Sequence, residues 1–501
     1  MKIFKYIVPV MAVLMLASCF DDKSTDATQP ISHIVIESGI DSVYNINKND
    51  TLIISPVVSQ TIAGKELKYT WEIDLKADEN SHDETFFYVG SKLGKYNCRL
   101  IVENEDGKTF FPFVLYVNSP YEEGLTILSK DKNGKPMLSF MQTPMSEDQE
   151  AKFMDEDCFS VNNKDREFAF NPTDLVQTTG SIIISCQGND TTPATVYFLN
   201  EKTFVVENLV EAFEYDEFKP TKLLIPSQSV VGVTYPVITE SGKVYDLPTY
   251  DAILQPSTKF FSTYSQACFL VGESGSYIDI LFWDKEKNGM ALLYNGYGPF
   301  YFGSKYLMPR DDEDFDKANY FAGVQEFITM TYIHRTKEQM SKSNREMLVL
   351  AIGDDVVQKL VIATFPWTSV ENKPGEYKIM DNGGFKLAGA MAPLDENTPC
   401  IANKTYSSFL FADGNKVRRW YYTQSKHINK AETLLTVGSD DAIITGFEIS
   451  DDHLKTYVVF YEPNKEGKNG SVWVIDTDKG TVLEKYENVC YQPVKIIYKK
   501  K

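Results

Sequence analysis

Aromatic clusters are the strongest chemical signal in this 501-residue chain. The stretch "YNGYGPFYFGSKY" sets Tyr297, Phe300 and Tyr301 among glycines and Pro299, a composition that predicts a loop able to expose rigid rings. Exposed rings offer stacking faces to sugars or apolar side chains at small entropic cost. "FPWTS" adds Trp367, and "KVRRWYY" sets Arg418 beside Trp420, two residue types enriched at binding hot spots. These six residues form the candidate ligand-binding set, and the alternative for each ring is packing inside a core. Catalytic signals are weaker. "GESGS" (272–276) lacks the glycine placement of a serine nucleophile turn, and neither a phosphate-cradling Gly-rich loop nor His-Glu-x-x-His occurs. The 5 histidines, His33, His82, His334, His427 and His453, stand isolated in sequence, where surface or satisfied roles predominate over metal ligation or base catalysis. The 70 acidic residues ensure that some carboxylates meet in space. The separation of about 5 to 9.5 Å that glycoside hydrolysis requires is not readable from sequence. "DDEDFD" (311–316) supplies oxygen donors for calcium without the glycine and closing glutamate of a calcium loop, so no cofactor is expected and a structural calcium has no motif behind it.

A further residue with its own chemistry lies near the start. "LMLASCFDDK" ends an apolar run, from Tyr6 to Ala17, that follows Lys2 and Lys5 and contains Pro9. The run is shorter than the roughly 20 residues of a membrane-crossing helix and has the order of a secretory signal, 1–18. Leu16-Ala17-Ser18-Cys19 resembles the bacterial lipoprotein signal, in which the cysteine becomes the acylated mature N-terminus. Several acyl chains on Cys19 would anchor it stably, at about 0.8 kcal/mol per buried methylene. Phe20-Asp21-Asp22-Lys23 resembles the acidic tag that sends such lipoproteins to the cell exterior. The expected localisation is therefore the outer membrane, lipid-anchored and facing outward, with 19–30 as a polar linker.

Composition narrows the partners. A net charge of −20 excludes nucleic acid as a natural ligand. Besides Cys19 there are Cys98, Cys158, Cys186, Cys268, Cys400 and Cys490, with no Cys-x-x-Cys spacing, which argues against zinc or a redox motif. Cys98, Cys186 and Cys268 sit in apolar strand-like runs and are expected as buried free thiols.

The elements that position these residues read as all-β. Residues 31–118 carry short strands divided by turns, with Trp71 placed as a buried central aromatic and Tyr96 two residues before Cys98, as in the tyrosine corner of immunoglobulin-like sandwiches. The pair "YTWEI…GKYNCRLIVEN" resembles the PKD-like branch, although Trp71 is followed by Glu72-Ile73-Asp74 rather than that branch's motif. Over 119–501 a strand-turn-strand unit recurs seven times, about 55 residues apart, which predicts a β-propeller of seven blades with eight as the alternative. The unit "GSVWVIDTDKGTVLEKYE" resembles the hairpin of bacterial surface and quinoprotein-like propellers. The final run "PVKIIYKK" is expected to complete the first blade, and Pro309 to Asn344 to form an insertion on one face.

Lipoprotein start, PKD-like spacer and propeller together resemble accessory surface lipoproteins of starch-utilisation-type uptake systems. That resemblance implies a TonB-dependent outer-membrane transporter and its lid lipoprotein as partners, and capture of oligosaccharide or peptide without catalysis. Two alternatives stay open. One is a propeller glycosidase or polysaccharide lyase, using carboxylates or a tyrosine with a basic residue. The other is a structural scaffold for the transporter complex.

Overall fold

The computed structural model describes residues 30–74, 76–77, 82–142, 151–154, 156–224, 235–247, 254–258, 260–271, 278–286, 289–294, 297–302, 324–334, 346–353, 358–364, 385–386, 394–423, 430–450 and 452–500. The chain divides into two units, Met1–Ser119 and Pro120–Lys501. Among the described residues no helix is long and apolar enough to cross a membrane.

The first unit is an immunoglobulin-like sandwich. One sheet runs in the order Val43–Asn47, Gly107–Asn118, Gly94–Asn104, Lys68–Ile73 and Lys76–Ala77, with its first two strands parallel. The second layer pairs Ile34–Ser38 with Val57–Gln60 and Thr51–Ile54 with Phe86–Val89. Alternation sends Leu52, Ile54, Phe86, Leu100, Val102 and Leu115 into the space between the layers. Trp71 is fully buried there, stacked on Phe86 at 4.8 Å, and its indole N–H donates to the Asp83 carbonyl at 2.9 Å. The Tyr96 hydroxyl donates to the Lys92 carbonyl at 2.7 Å, four residues upstream, which is the tyrosine-corner bond. Cys98 is a buried free thiol, its pKa pushed up to about 12 by burial.

The second unit is a seven-bladed β-propeller. Its inner strands are Gln492–Lys499 for blade one, then Pro172–Thr178, Pro220–Leu223, Tyr264–Val271, Val324–His334, Cys400–Asn403 and Ile443–Ile449 for blades two to seven. Each heads a four-stranded antiparallel sheet, with blades five and six joined edge to edge where Ile333 and His334 pair parallel with Ala402 and Asn403. Blade one is completed from the far end of the chain. Gln492–Lys499 pairs antiparallel with Gly124–Lys130, from Lys130 opposite Gln492 to Gly124 opposite Lys499. Inner strands of blades one and two, two and three, four and five, five and six, six and seven, and seven and one lie against each other.

Cores sit between blades, because each sheet has two apolar faces and only its neighbours to cover them. Leu128, Leu138 and Phe140 of blade one meet Leu175, Ile184 and Tyr197 of blade two, along with the helix Cys158–Asn162. Leu125, Ile127 and Ile496 of blade one meet Val459, Val472 and Val474 of blade seven. In blade seven the turn 476–480 closes as its sequence implies. Asp476 Oδ1 accepts from the Asp478 and Lys479 N–H groups, and Gly480 takes φ +68°, with Leu434 filling the space a Cβ would need. Two expectations need correcting. Val324–His334, inside the span expected to be an insertion, is the inner strand of blade five. Tyr297–Phe302, expected as a loop, is the outer strand of blade four, paired with Gly289–Tyr294 despite its glycine and proline. An outer edge strand tolerates Pro299 because one of its sides carries no ladder.

Candidate functional site

All inner strands run the same way along the ring axis, so the ring has a leading face where they begin and a trailing face where they end. The axis gathers groups that are distant in sequence. Asp174, on the inner strand of blade two and 5% exposed, accepts from its neighbour Leu175 N–H at 3.0 Å and from Leu223 N–H of blade three at 2.8 Å. Lys495 of blade one stands 3.7 Å from the same carboxylate. Glu448 of blade seven repeats the device: it accepts from Ile449 N–H at 3.1 Å and from the backbone N–H of Tyr498 in blade one. Two acids thus hook four successive inner strands, seven to one and one through two to three.

Glu448, His334 and Cys400 stand on the inner strands of blades seven, five and six and are each half-buried. Burial pushes the Glu448 carboxyl up to about 7 against the opposing bonds and the nearby Lys495 and Lys500. Burial, with His453 and Lys500 close by, holds His334 down at about 4. Burial also raises the Cys400 thiol to about 11, although Lys222 of blade three acts on it from across the ring. At the trailing end the turns of blades six and seven meet, where the Thr405 hydroxyl and His453 Nδ1 are 2.9 Å apart. Gln177 and Lys500 exchange two hydrogen bonds at 2.8 and 2.9 Å.

A carboxyl near 7 has the value a general acid or base needs at neutral pH. The geometry gives Glu448 another task, since the groups that donate to it are the backbone N–H groups of Ile449 on its own strand and of Tyr498 in blade one, which tie the ring together. Its raised pKa means that its contribution to stability is full below about 4.5 and is lost as pH rises through about 7. Glu448→Gln removes that titration. Denaturation at pH 5 and pH 8 is expected to show the variant gaining on wild type by on the order of 2 kcal/mol toward the higher pH. Equal differences at both values would show that burial does not govern this carboxyl.

The leading face carries a different chemistry. Its connections are knitted by Lys219 Nζ to the Gln187 carbonyl at 3.1 Å, Glu240 N–H to the Lys219 carbonyl at 2.8 Å and Tyr264 N–H to the Gly242 carbonyl at 2.9 Å. On that frame, the connection from blade two to three exposes Phe213 at 71%, and the connection from blade three to four exposes Phe261 at 85%. Glu211, Glu214, Asp216 and Glu217 surround Phe213 in sequence and are exposed. Rings flanked by carboxylates can stack on a sugar face while the acids accept its hydroxyls.

Of the candidate ligand-binding residues singled out in the sequence, the described ones fall on blades four and six. Cys19 and Trp367 lie outside the described residues. Tyr297, Phe300 and Tyr301 share the outer strand of blade four. Trp420 is 1% exposed and packs with Phe409 and Tyr422 between blades five and six, so it is a core ring rather than a stacking platform. Arg418, two positions along the same strand, donates to Asp413 at 3.3 Å and to the Ala431 carbonyl at 2.5 Å. Phe213 and Phe261 escaped sequence reasoning because nothing local distinguishes an exposed phenylalanine from a buried one. The run of acids around Phe213 was the one available signal. "GESGS" and "DDEDFD" fall outside the described residues, and among the described residues no group of three or more His, Cys, Asp or Glu could hold a metal.

No protein-family model and no curated protein matches this chain. Solved structures do. A quinoprotein alcohol dehydrogenase-like protein from Bacteroides thetaiotaomicron is 14% identical, with 93% of this chain and 99% of that one covered and a TM-score of 0.43. Dihydro-heme d1 dehydrogenase NirN is 9% identical over 80% of this chain and 72% of that one, with a TM-score of 0.36. TolB from Acinetobacter baumannii is 8% identical over 82% and 81%, with a TM-score of 0.34. The propeller assignment rests on strand order and ring closure rather than on these distant likenesses.

Proposed function

We propose that the chain is a non-catalytic outer-membrane lipoprotein, anchored outside the cell through acylated Cys19, that binds oligomeric nutrient on the leading face of its propeller. The observation that carries the reading is the pair of strongly exposed rings, Phe213 and Phe261, on adjacent connections of one face. A single exposed apolar residue needs no explanation, whereas two on consecutive blades of a rigid ring make an extended platform suited to an oligomer. The N-terminal signal pattern and the resemblance to uptake-system lipoproteins support the setting, with a TonB-dependent transporter and its lid lipoprotein as partners. The ligand is glycan or peptide.

An enzymatic reading has one observation in its favour, the Glu448 carboxyl near 7. Incubating the purified protein with mixed oligosaccharides and peptides separates the two. Retention of intact oligomers without new reducing ends or fragments is expected, and turnover that disappears in Glu448→Gln would overturn the binding-only reading.

A further inference from the structure

The N-terminal sandwich has one face that its own fold leaves bare. Along the layer Ile34–Ser38, Thr51–Ile54, Val57–Gln60 and Phe86–Val89, alternate residues point away from the core. Those outward positions hold Val35 at 47%, Ile53 at 56%, Val57 at 50%, Phe87 at 53% and Val89 at 51% exposure. In one strand pair Ile53 sits directly opposite Phe87 and Thr51 opposite Val89; in the other Val57 sits opposite Ser38 and Val35 opposite Ser59, and the two pairs are joined because Thr51–Ile54 runs on through Ser55 and Pro56 into Val57–Gln60. The remaining outward positions are Ser38, Thr51, Ser59 and Glu37, and exposed His33 continues the first strand on the same side, so the face carries one acid, one histidine and no lysine or arginine.

We infer that this face rests on the lipid bilayer to which the chain is tethered, in uncharged contact with the boundary between headgroups and acyl chains. Three arguments select that occupant. The patch, about three strands wide and five residues long, covers roughly 250 Å². A lasting protein interface needs about 800 Å² per partner, so a second copy would not stay on it. The tether supplies what area does not. Fifteen residues separate Cys19 from Ile34. That length spans at most about 50 Å even when fully extended. A bilayer is then always within reach at high effective concentration, and a weak second contact beside an acyl anchor suffices to fix orientation. The lack of lysine and arginine among the outward positions excludes attraction to anionic headgroups as the driving force. The inference rests on the proposed acylation of Cys19.

Hydroxyl-radical footprinting tests it on the full chain. The acylated protein would be reconstituted on phosphatidylcholine vesicles and compared with the soluble Cys19→Ala chain at the same concentration. Side-chain oxidation of Phe87 is expected to fall at least threefold on vesicles. Phe110, on the other sheet of the sandwich and 51% exposed, should be oxidised equally in both samples. Equal oxidation of Phe87 on and off vesicles would overturn the inference while leaving the anchor intact. Protection of Phe87 that grows with concentration in the soluble chain would overturn it in favour of a second copy. A mass without acyl chains on Cys19 and no flotation with vesicles would instead remove the anchor itself, and with it the localisation.

Discussion

Ending the chain at Gln492 is expected to abolish cooperative unfolding of the 120–501 unit while the sandwich keeps its own transition. The missing segment is the inner strand of blade one. It pairs with Gly124–Lys130 along its whole length and places Ile496 in the core shared with blade seven. It also carries Lys495, which faces Asp174, the Tyr498 N–H that Glu448 accepts, and the Lys500 backbone bonded to Gln177. Losing it exposes the edge of a three-stranded blade and cuts both carboxylate hooks on that side. Each buried hydrogen bond contributes about 1 kcal/mol. With the apolar burial added, the loss is of the same order as the whole stability of a domain, about 5–15 kcal/mol. Calorimetry with near-ultraviolet circular dichroism reads it: an unchanged transition temperature for the larger unit would mean the ring does not close through this strand.

Trp420→Ala should lower the stability of the propeller by about 3–5 kcal/mol, the range for removing a large buried aromatic ring. Phe409 and Tyr422 pack edge-on against it, in a core shared with Ile328 and Leu348 of blade five. Denaturant unfolding measures the loss, and ligand retention by the folded fraction should not change. The opposite pattern, unchanged stability with lost retention, would restore Trp420 to the binding surface and place the ring outside the core.

Trp420 shows where sequence stops informing. Strand alternation marks two faces, and in a free sandwich one of them meets solvent. In a blade both faces meet neighbouring blades, so Val417 packs toward blade seven and Trp420 toward blade five on the same short strand. The composition of "KVRRWYY" cannot reveal which situation applies. By contrast, the closing strand was legible because "PVKIIYKK" follows a complete unit and has no partner nearby in sequence. Trp71 was legible from its place within the strand-like run "YTWEI", and Tyr96 from standing two residues before Cys98, a local geometry whose bond to Lys92 spans only four residues. Asp174 and Glu448 were invisible. Their significance lies in bonds to Leu223 and Tyr498, and only the ring makes those strands adjacent. The stretch 297–302 read as a loop because of Gly298 and Pro299, which an outer strand accommodates as readily.

The central claim is that the leading face captures oligomers. Equilibrium retention of a mixed oligosaccharide and peptide pool by wild type and by the Phe213→Ala/Phe261→Ala double variant tests it most directly. Each truncated ring at a binding hot spot costs more than about 1 kcal/mol, so retention should weaken by at least about 30-fold with the unfolding transition unchanged. Undiminished retention by the double variant would contradict the account.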